Sequence, residues 1–128
     1  FFLLLAAAPA QCASYMVGTW FGHGQPGDTG SMYIDRMRPY GSWRGEYRSC
    51  IKGKPQDTVQ VGRWSLAGDR LVLQVESVDG LKLPRTDTYR MLTHDAKTQK
   101  YVTVPSGFAY TPRRMADGFQ MPDCDLIS

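Results

Sequence analysis

The sequence predicts an all-β protein, an antiparallel up-and-down barrel of about eight short strands. Three observations carry this. Turn formers are abundant, with 13 glycines and 8 prolines in 128 residues and no asparagine at all, so the turns rest on Gly, Asp and Pro. Short runs that read as strands recur about every 10 residues, with no amphipathic helix of convincing length. Each of the 3 tryptophans follows a glycine by two positions, in Gly18-Thr19-Trp20, Gly41-Ser42-Trp43 and Gly62-Arg63-Trp64. The length suits one domain with one core.

Taken in order, Val17 to Gly24 is the first strand, with Gly18, Trp20 and Gly22 on one face. Glycines beside a tryptophan let a neighbouring ring or backbone approach closely. A loop at 25–30 (QPGDTG) leads to a second strand, Ser31 to Arg38, whose alternation is imperfect. After the Pro39-Tyr40-Gly41 turn, Ser42 to Ile51 alternates clearly. Trp43, Gly45 and Tyr47 share one face, and Arg44, Glu46, Arg48 and Cys50 the other. A turn at 52–56 precedes Asp57 to Leu66, where Val59 and Val61 are expected inward before Trp64 and Leu66 take over. Such a parity switch at Gly62-Arg63 signals a bulge. Gly68-Asp69 closes a hairpin into Arg70 to Val78, with Leu71, Leu73 and Val75 inward. A longer connection through Pro84 leads to strands at 85–92, 100–104 and 108–112, with a polar loop at 94–99.

The first ten residues, FFLLLAAAPA, are apolar and uncharged, and read as the back half of a secretory signal peptide with Ala8-Pro9-Ala10 as its cleavage site. A bilayer span needs about 20 apolar residues, so no stable membrane insertion is expected after cleavage. The domain layout is therefore a partial signal peptide at 1–10, a barrel over 11–115 and a C-terminal tail at 116–128. Export to a bacterial periplasm or the extracellular space is the expected localisation. There, 3 cysteines make one disulfide and one spare thiol. Cys50 faces outward in mid-strand, and the tail is the one loose segment long enough to cover it, so Cys50–Cys124 is the expected bond. Cys12–Cys124 is the alternative.

The net charge is +3. Arg36, Arg38, Arg44 and Arg48 come nearest to a basic stripe, but they alternate with apolar residues as on the wet face of a sheet, so no nucleic-acid partner is expected. His23 and His94 sit in no metal-ligand or nucleophile spacing, and Ser31 and Ser106 are turn residues. No enzyme activity, metal or cofactor is expected. Asp35, Asp87 and Glu46 are expected in surface pairs with arginines.

The first-strand G-x-W, the up-and-down strand order and an arginine near the last strand together resemble the lipocalin-like (calycin) barrels. The run GRWSLAGDRLVLQ, and the fuller set GTWFG, EYRSC, Tyr89 and FQMPDC, are similar to a family of small lipocalin-like exported bacterial proteins that has no characterised function. The resemblance implies a barrel floor made by Gly18 and Trp20, with Arg113 or Arg114 lying across the indole. It also implies an interior that takes a small apolar or amphipathic molecule. The chain is shorter than a standard lipocalin, so a smaller cavity is expected. Tyr33, Tyr47, Tyr89, Met91, Tyr101 and Tyr110 are the candidate ligand-binding residues, because Tyr and Met make adaptable apolar pockets with polar handles. Two alternatives stay open. One is a protein-interaction module, such as a periplasmic inhibitor of a protease or lysozyme, and the other a structural envelope protein with no ligand.

Overall fold

The computed structural model describes residues 14–24 and 30–124. The expected signal peptide at 1–10, Cys12 and most of the 25–30 loop lie outside the described residues. The protein is all-β, as expected. Its strands are β1 (Gly18–His23), β2 (Ser31–Met37), β3 (Ser42–Ile51), β4 (Lys54–Ala67), β5 (Arg70–Val78), β6 (Leu81–His94), β7 (Gln99–Thr103), β8 (Ala109–Tyr110) and β9 (Arg113–Met115). They form one antiparallel sheet in the order β8-β7-β6-β5-β4-β3-β2-β1-β9, an up-and-down arrangement.

The sheet curls into a half-barrel whose edges meet at one end. Residues 112–114 bond on one side to the start of β7, with Gln99 N–H donating to Pro112 O (3.1 Å) and Arg114 N–H to Lys97 O (2.7 Å). On the other side Arg113–Met115 pair with Thr19–Phe21 of β1. That end is the floor, and the β3–β4 and β5–β6 hairpin tips rise at the opposite, open end.

Two connections are tighter than the sequence suggests. Lys52-Gly53 and Asp79-Gly80 each close a two-residue hairpin, with positive φ at Lys52 (53°), Gly53 (76°), Asp79 (50°) and Gly80 (82°). Turns of that hand match the strand twist. Each strand then runs through a proline where no hydrogen bond is lost. Pro55 opposes Cys50, whose N–H points the other way, to Gly30 O (2.6 Å). Pro84 falls in a gap of the β5–β6 register, where a bulge accommodates it.

The bulge expected near Gly62 exists, but it belongs to β5. Val61 pairs with Ser77 and Gly62 with Val75, which leaves Glu76 as the extra residue. β4 itself keeps one parity. Val59 and Val61 oppose Glu46 and Arg44, so they lie on the outer face, contrary to the expectation that they point inward. The reason for the glycine is spatial: a side chain at Gly62 would run into the Gln74 carbonyl.

Both faces of β1 and β2 are covered. Inside, Trp20, Met37, Trp43, Trp64, Leu71, Leu73 and Met91 form the main core. Outside, Phe21, Met32 and Ile34 are buried under Met115, Phe119 and Met121 of the tail. Arg36 holds that tail by donating from Nη1 to Asp117 O (2.9 Å) and from Nη2 to Phe119 O (2.7 Å), and Arg48 donates to Pro122 O (3.0 Å). The Cys50–Cys124 bond is formed, with Cα atoms 5.5 Å apart. A disulfide fits an exported protein. No helix of the described residues is long and apolar enough to cross a membrane.

Candidate functional site

Strand parity sends a column of aromatic side chains into the barrel above its floor. Gly18, Trp20 and Gly22 of β1, Tyr33, Asp35 and Met37 of β2, and Trp43, Gly45 and Tyr47 of β3 occupy matching inward positions. From the far wall come Asp87, Tyr89 and Met91 of β6 and Tyr101 of β7, with Tyr110 of β8 beside it.

The floor is built from the G-x-W. Trp20 is 1% exposed and donates from Nε1 to Met16 O (2.9 Å). The Arg114 guanidinium lies 4.4 Å from the indole centroid. It also donates to Ala96 O (2.9 Å), Val17 O (2.8 Å) and Tyr15 O (3.1 Å), tying three segments together under the tryptophan. Gly18 (φ 140°) leaves the room this guanidinium occupies. Of the two arginines expected at the floor, Arg114 therefore covers Trp20, while Arg113 is exposed and bridges to Thr98.

Above the floor is a chamber of about 80 Å3 lined by Tyr33, Asp35, Tyr47, Tyr89, Tyr101 and Tyr110. It adjoins a mouth of about 370 Å3, to which Tyr33, Tyr47 and Tyr110 contribute together with Ser31 and Ser49. The rings brace one another: Tyr89 and Tyr110 meet Tyr101 at 5.2 and 5.6 Å, and Tyr33 meets Tyr110 edge-on at 6.0 Å. Glycines make room for two of them, since a Cβ at Gly22 would meet the Tyr33 ring at 2.6 Å and one at Gly45 the Tyr47 hydroxyl at 2.8 Å. Five of the six expected ligand-binding residues thus converge. Met91 is buried in the core and does not line the chamber.

The polar inventory of this chamber is unusual. The Tyr33 and Tyr101 hydroxyls bond each other at 3.0 Å. Those of Tyr47, Tyr89 and Tyr110 have no hydrogen-bond partner among the described residues. Burial holds the Tyr33, Tyr47, Tyr89 and Tyr101 phenols above their ordinary range, so they stay neutral at physiological pH.

Asp35 is the residue that sequence reasoning misplaced. Expected in a surface ion pair, it points inward, and its carboxylate accepts from Trp43 Nε1 (3.0 Å). No arginine or lysine among the described residues pairs with it. Glu46 instead takes Arg36 (2.7 Å) and Arg44 (3.2 Å), Asp57 takes Arg48 (2.8 Å), and Asp87 takes Arg85 (2.9 Å). Three of the four arginines of the alternating row, Arg36, Arg44 and Arg48, are thus ion-paired. Its position among the tyrosines could have been inferred, since Tyr33 and Met37 share its parity.

Burial pushes the Asp35 carboxyl up to about 6, against the pull of the Trp43 hydrogen bond. An unfolded aspartate titrates near ~3.9. The folded state therefore holds this proton more tightly. The resulting stability is fully present below about pH 4 and is lost as pH rises through about 6. Asp35→Asn keeps an oxygen for Trp43. It is expected to be more stable than the wild type by about 2–3 kcal/mol at pH 7.5 and by roughly nothing at pH 4. Urea unfolding at the two pH values checks this, and an equal difference at both would contradict it.

The histidines lie apart from the chamber. His23 is exposed beside Phe21, and His94 stacks on Tyr15 at the floor end, with ring centroids 3.5 Å apart.

Fold and chamber together define an antiparallel half-barrel with an aromatic interior and one half-buried, inward-facing carboxylate. No protein-family model matches the chain, and no curated protein matches its sequence.

Proposed function

We propose that this is an exported, lipocalin-like barrel of a bacterial periplasm or extracellular space that binds a small apolar or amphipathic molecule in the tyrosine chamber. One observation carries the reading. Three phenol hydroxyls and a carboxylate face a cavity without being used up by the protein's own hydrogen bonds. Asp35, Tyr47, Tyr89 and Tyr110 are half-buried, so a molecule entering the cavity can reach these groups and use them. The wider mouth supplies space for an apolar tail. Native mass spectrometry of the protein, expressed with export into an oxidising compartment, tests this. A small mass that accompanies the folded protein and is lost on denaturation is expected. A bare protein that also takes up no added amphiphile would contradict the reading.

A specific observation favours a second reading, a protein-interaction module. Ile51 (56% exposed) at one hairpin tip and Leu81 (67%) and Leu83 (51%) at the other are large apolar side chains set around the open end. They suit contact with a partner's surface. Retention of a partner protein by wild type but not by a Leu81→Ser, Leu83→Ser variant would shift the reading to this class.

A further inference from the structure

We propose that the molecule taken by the chamber is a cation, a primary alkylammonium whose head group sits against Asp35 within the tyrosine cage and whose apolar tail runs toward the mouth. The proposal rests on the binding function above and names the chemistry of its ligand.

The charge balance of the chamber leads to it. Asp35 is the one acidic side chain among the lining residues, and none of them is a cation. Asp87, Arg85 and Arg114 on inward positions of β6 and β9 have partners elsewhere, and Arg48 at the mouth is held by Asp57. Arg85 on β6 is engaged by Asp87 and by Gln60 Oε1 (2.8 Å), and Arg114 on β9 lies beneath Trp20, held by backbone carbonyls. The inward positions of β1 and β5 carry no titratable group: Gly18, Trp20 and Gly22 on one, Leu71, Leu73 and Val75 on the other. β3, β7 and β8 contribute Tyr47, Tyr101 and Tyr110, and burial holds the Tyr47 and Tyr101 phenols neutral. An anionic ligand would bury a second negative charge beside Asp35 with nothing to offset it. A cation supplies the missing partner.

The aromatic walls favour the same sign. Ring faces carry the negative side of the aromatic quadrupole, and a cage of tyrosines attracts a desolvated ammonium. Number and kind of polar groups also match. A primary ammonium has three N–H donors and no acceptor, and the chamber offers the Asp35 carboxylate and the hydroxyl oxygens of Tyr47, Tyr89 and Tyr110. A quaternary head group could use the rings but none of these acceptors. The chamber's small volume, about 80 Å3, also suits the smaller head.

The test compares hexylamine, hexan-1-ol and hexanoate by isothermal titration at pH 7.5, with wild type and Asp35→Asn. Hexylamine is expected to bind at least ~10-fold more tightly than hexan-1-ol, with hexanoate weakest. Asp35→Asn should erase the preference for amine over alcohol. Lowering the pH to 4.5 should weaken amine binding by the amine-over-alcohol ratio, up to the roughly 30-fold set by depletion of the ionised carboxylate of a group titrating near 6. The pH series on the wild type keeps the test decisive should the variant fail to fold. Equal binding of amine and alcohol, or tightest binding of hexanoate, would overturn the cation and leave the binding barrel standing. Binding of none of the three would overturn both.

Discussion

Replacing Trp20 with alanine is expected to cost about 3–5 kcal/mol, enough to leave much of the chain unfolded at 37 °C if its total stability is of the usual size. The magnitude follows from what the indole does. It is 1% exposed and packs against Met16 and the core beneath the chamber. It donates to the Met16 carbonyl, and it forms the surface on which Arg114 rests. Its loss opens a cavity at the place where the sheet edges meet. Arg114, left without the ring, keeps its three carbonyl contacts to Tyr15, Val17 and Ala96 on segments no longer braced from above. Urea unfolding monitored by far-UV circular dichroism measures the effect. A variant with an unchanged midpoint would remove Trp20 from its place as the floor of the barrel.

The second large effect is expected from removing the disulfide. The Cys50–Cys124 bond closes a loop with a sequence separation of 74, for which the chain-entropy model gives about 4 kcal/mol. The double variant Cys50→Ser, Cys124→Ser should lose roughly that amount, and its damage should be local before it is global. Among the described residues, Phe21, Met32 and Ile34 are covered from outside by Cys50, Met115 and the tail residues Phe119 and Met121, so amides of β1 and β2 should exchange faster than those of β4 and β5. Arg36, Arg48 and the contact from Thr19 Oγ1 to Asp117 Oδ1 (3.2 Å) still hold the tail when the sulfurs are gone. Stability within ~0.5 kcal/mol of the oxidised protein would mean that these polar contacts fix the tail unaided.

The sequence was legible where alternation had a single cause. β3 buries one face and wets the other, so its parity could be read directly, and with it the outward direction of Cys50 and the need for a cover. The glycines around Trp20 marked close approaches, which the structure fills with the Arg114 guanidinium at Gly18 and the Tyr33 ring at Gly22. β2 was harder because both of its faces are buried. The core lies under Tyr33, Asp35 and Met37, and the tail under Met32, Ile34 and Arg36, so no alternation of polarity survives. That is why Asp35 passed for a surface residue. The hairpins at 52–53 and 79–80 were hidden by Pro55 and Pro84, which suggest breaks but sit at ladder positions that need no N–H. Val59 and Val61 misled in another way. They are apolar residues on an outer face, one of them beside Gln120 and Met121 of the tail.

The chamber as a binding site is the centre of this account, and the protein carries its own control for testing it. Of its 7 tyrosines, five face the chamber, whereas Tyr15 lies at the floor end and Tyr40 is 71% exposed on an outer turn. Ring resonances of all seven can be followed by NMR, with tyrosine isotopically labelled, while an amphiphile such as hexan-1-ol or hexylamine is titrated in. Saturable shifts are expected at Tyr33, Tyr47, Tyr89, Tyr101 and Tyr110, with Tyr15 and Tyr40 unmoved. Shifts confined to Tyr40 and the outer face, or no shift at all with either compound, would contradict it.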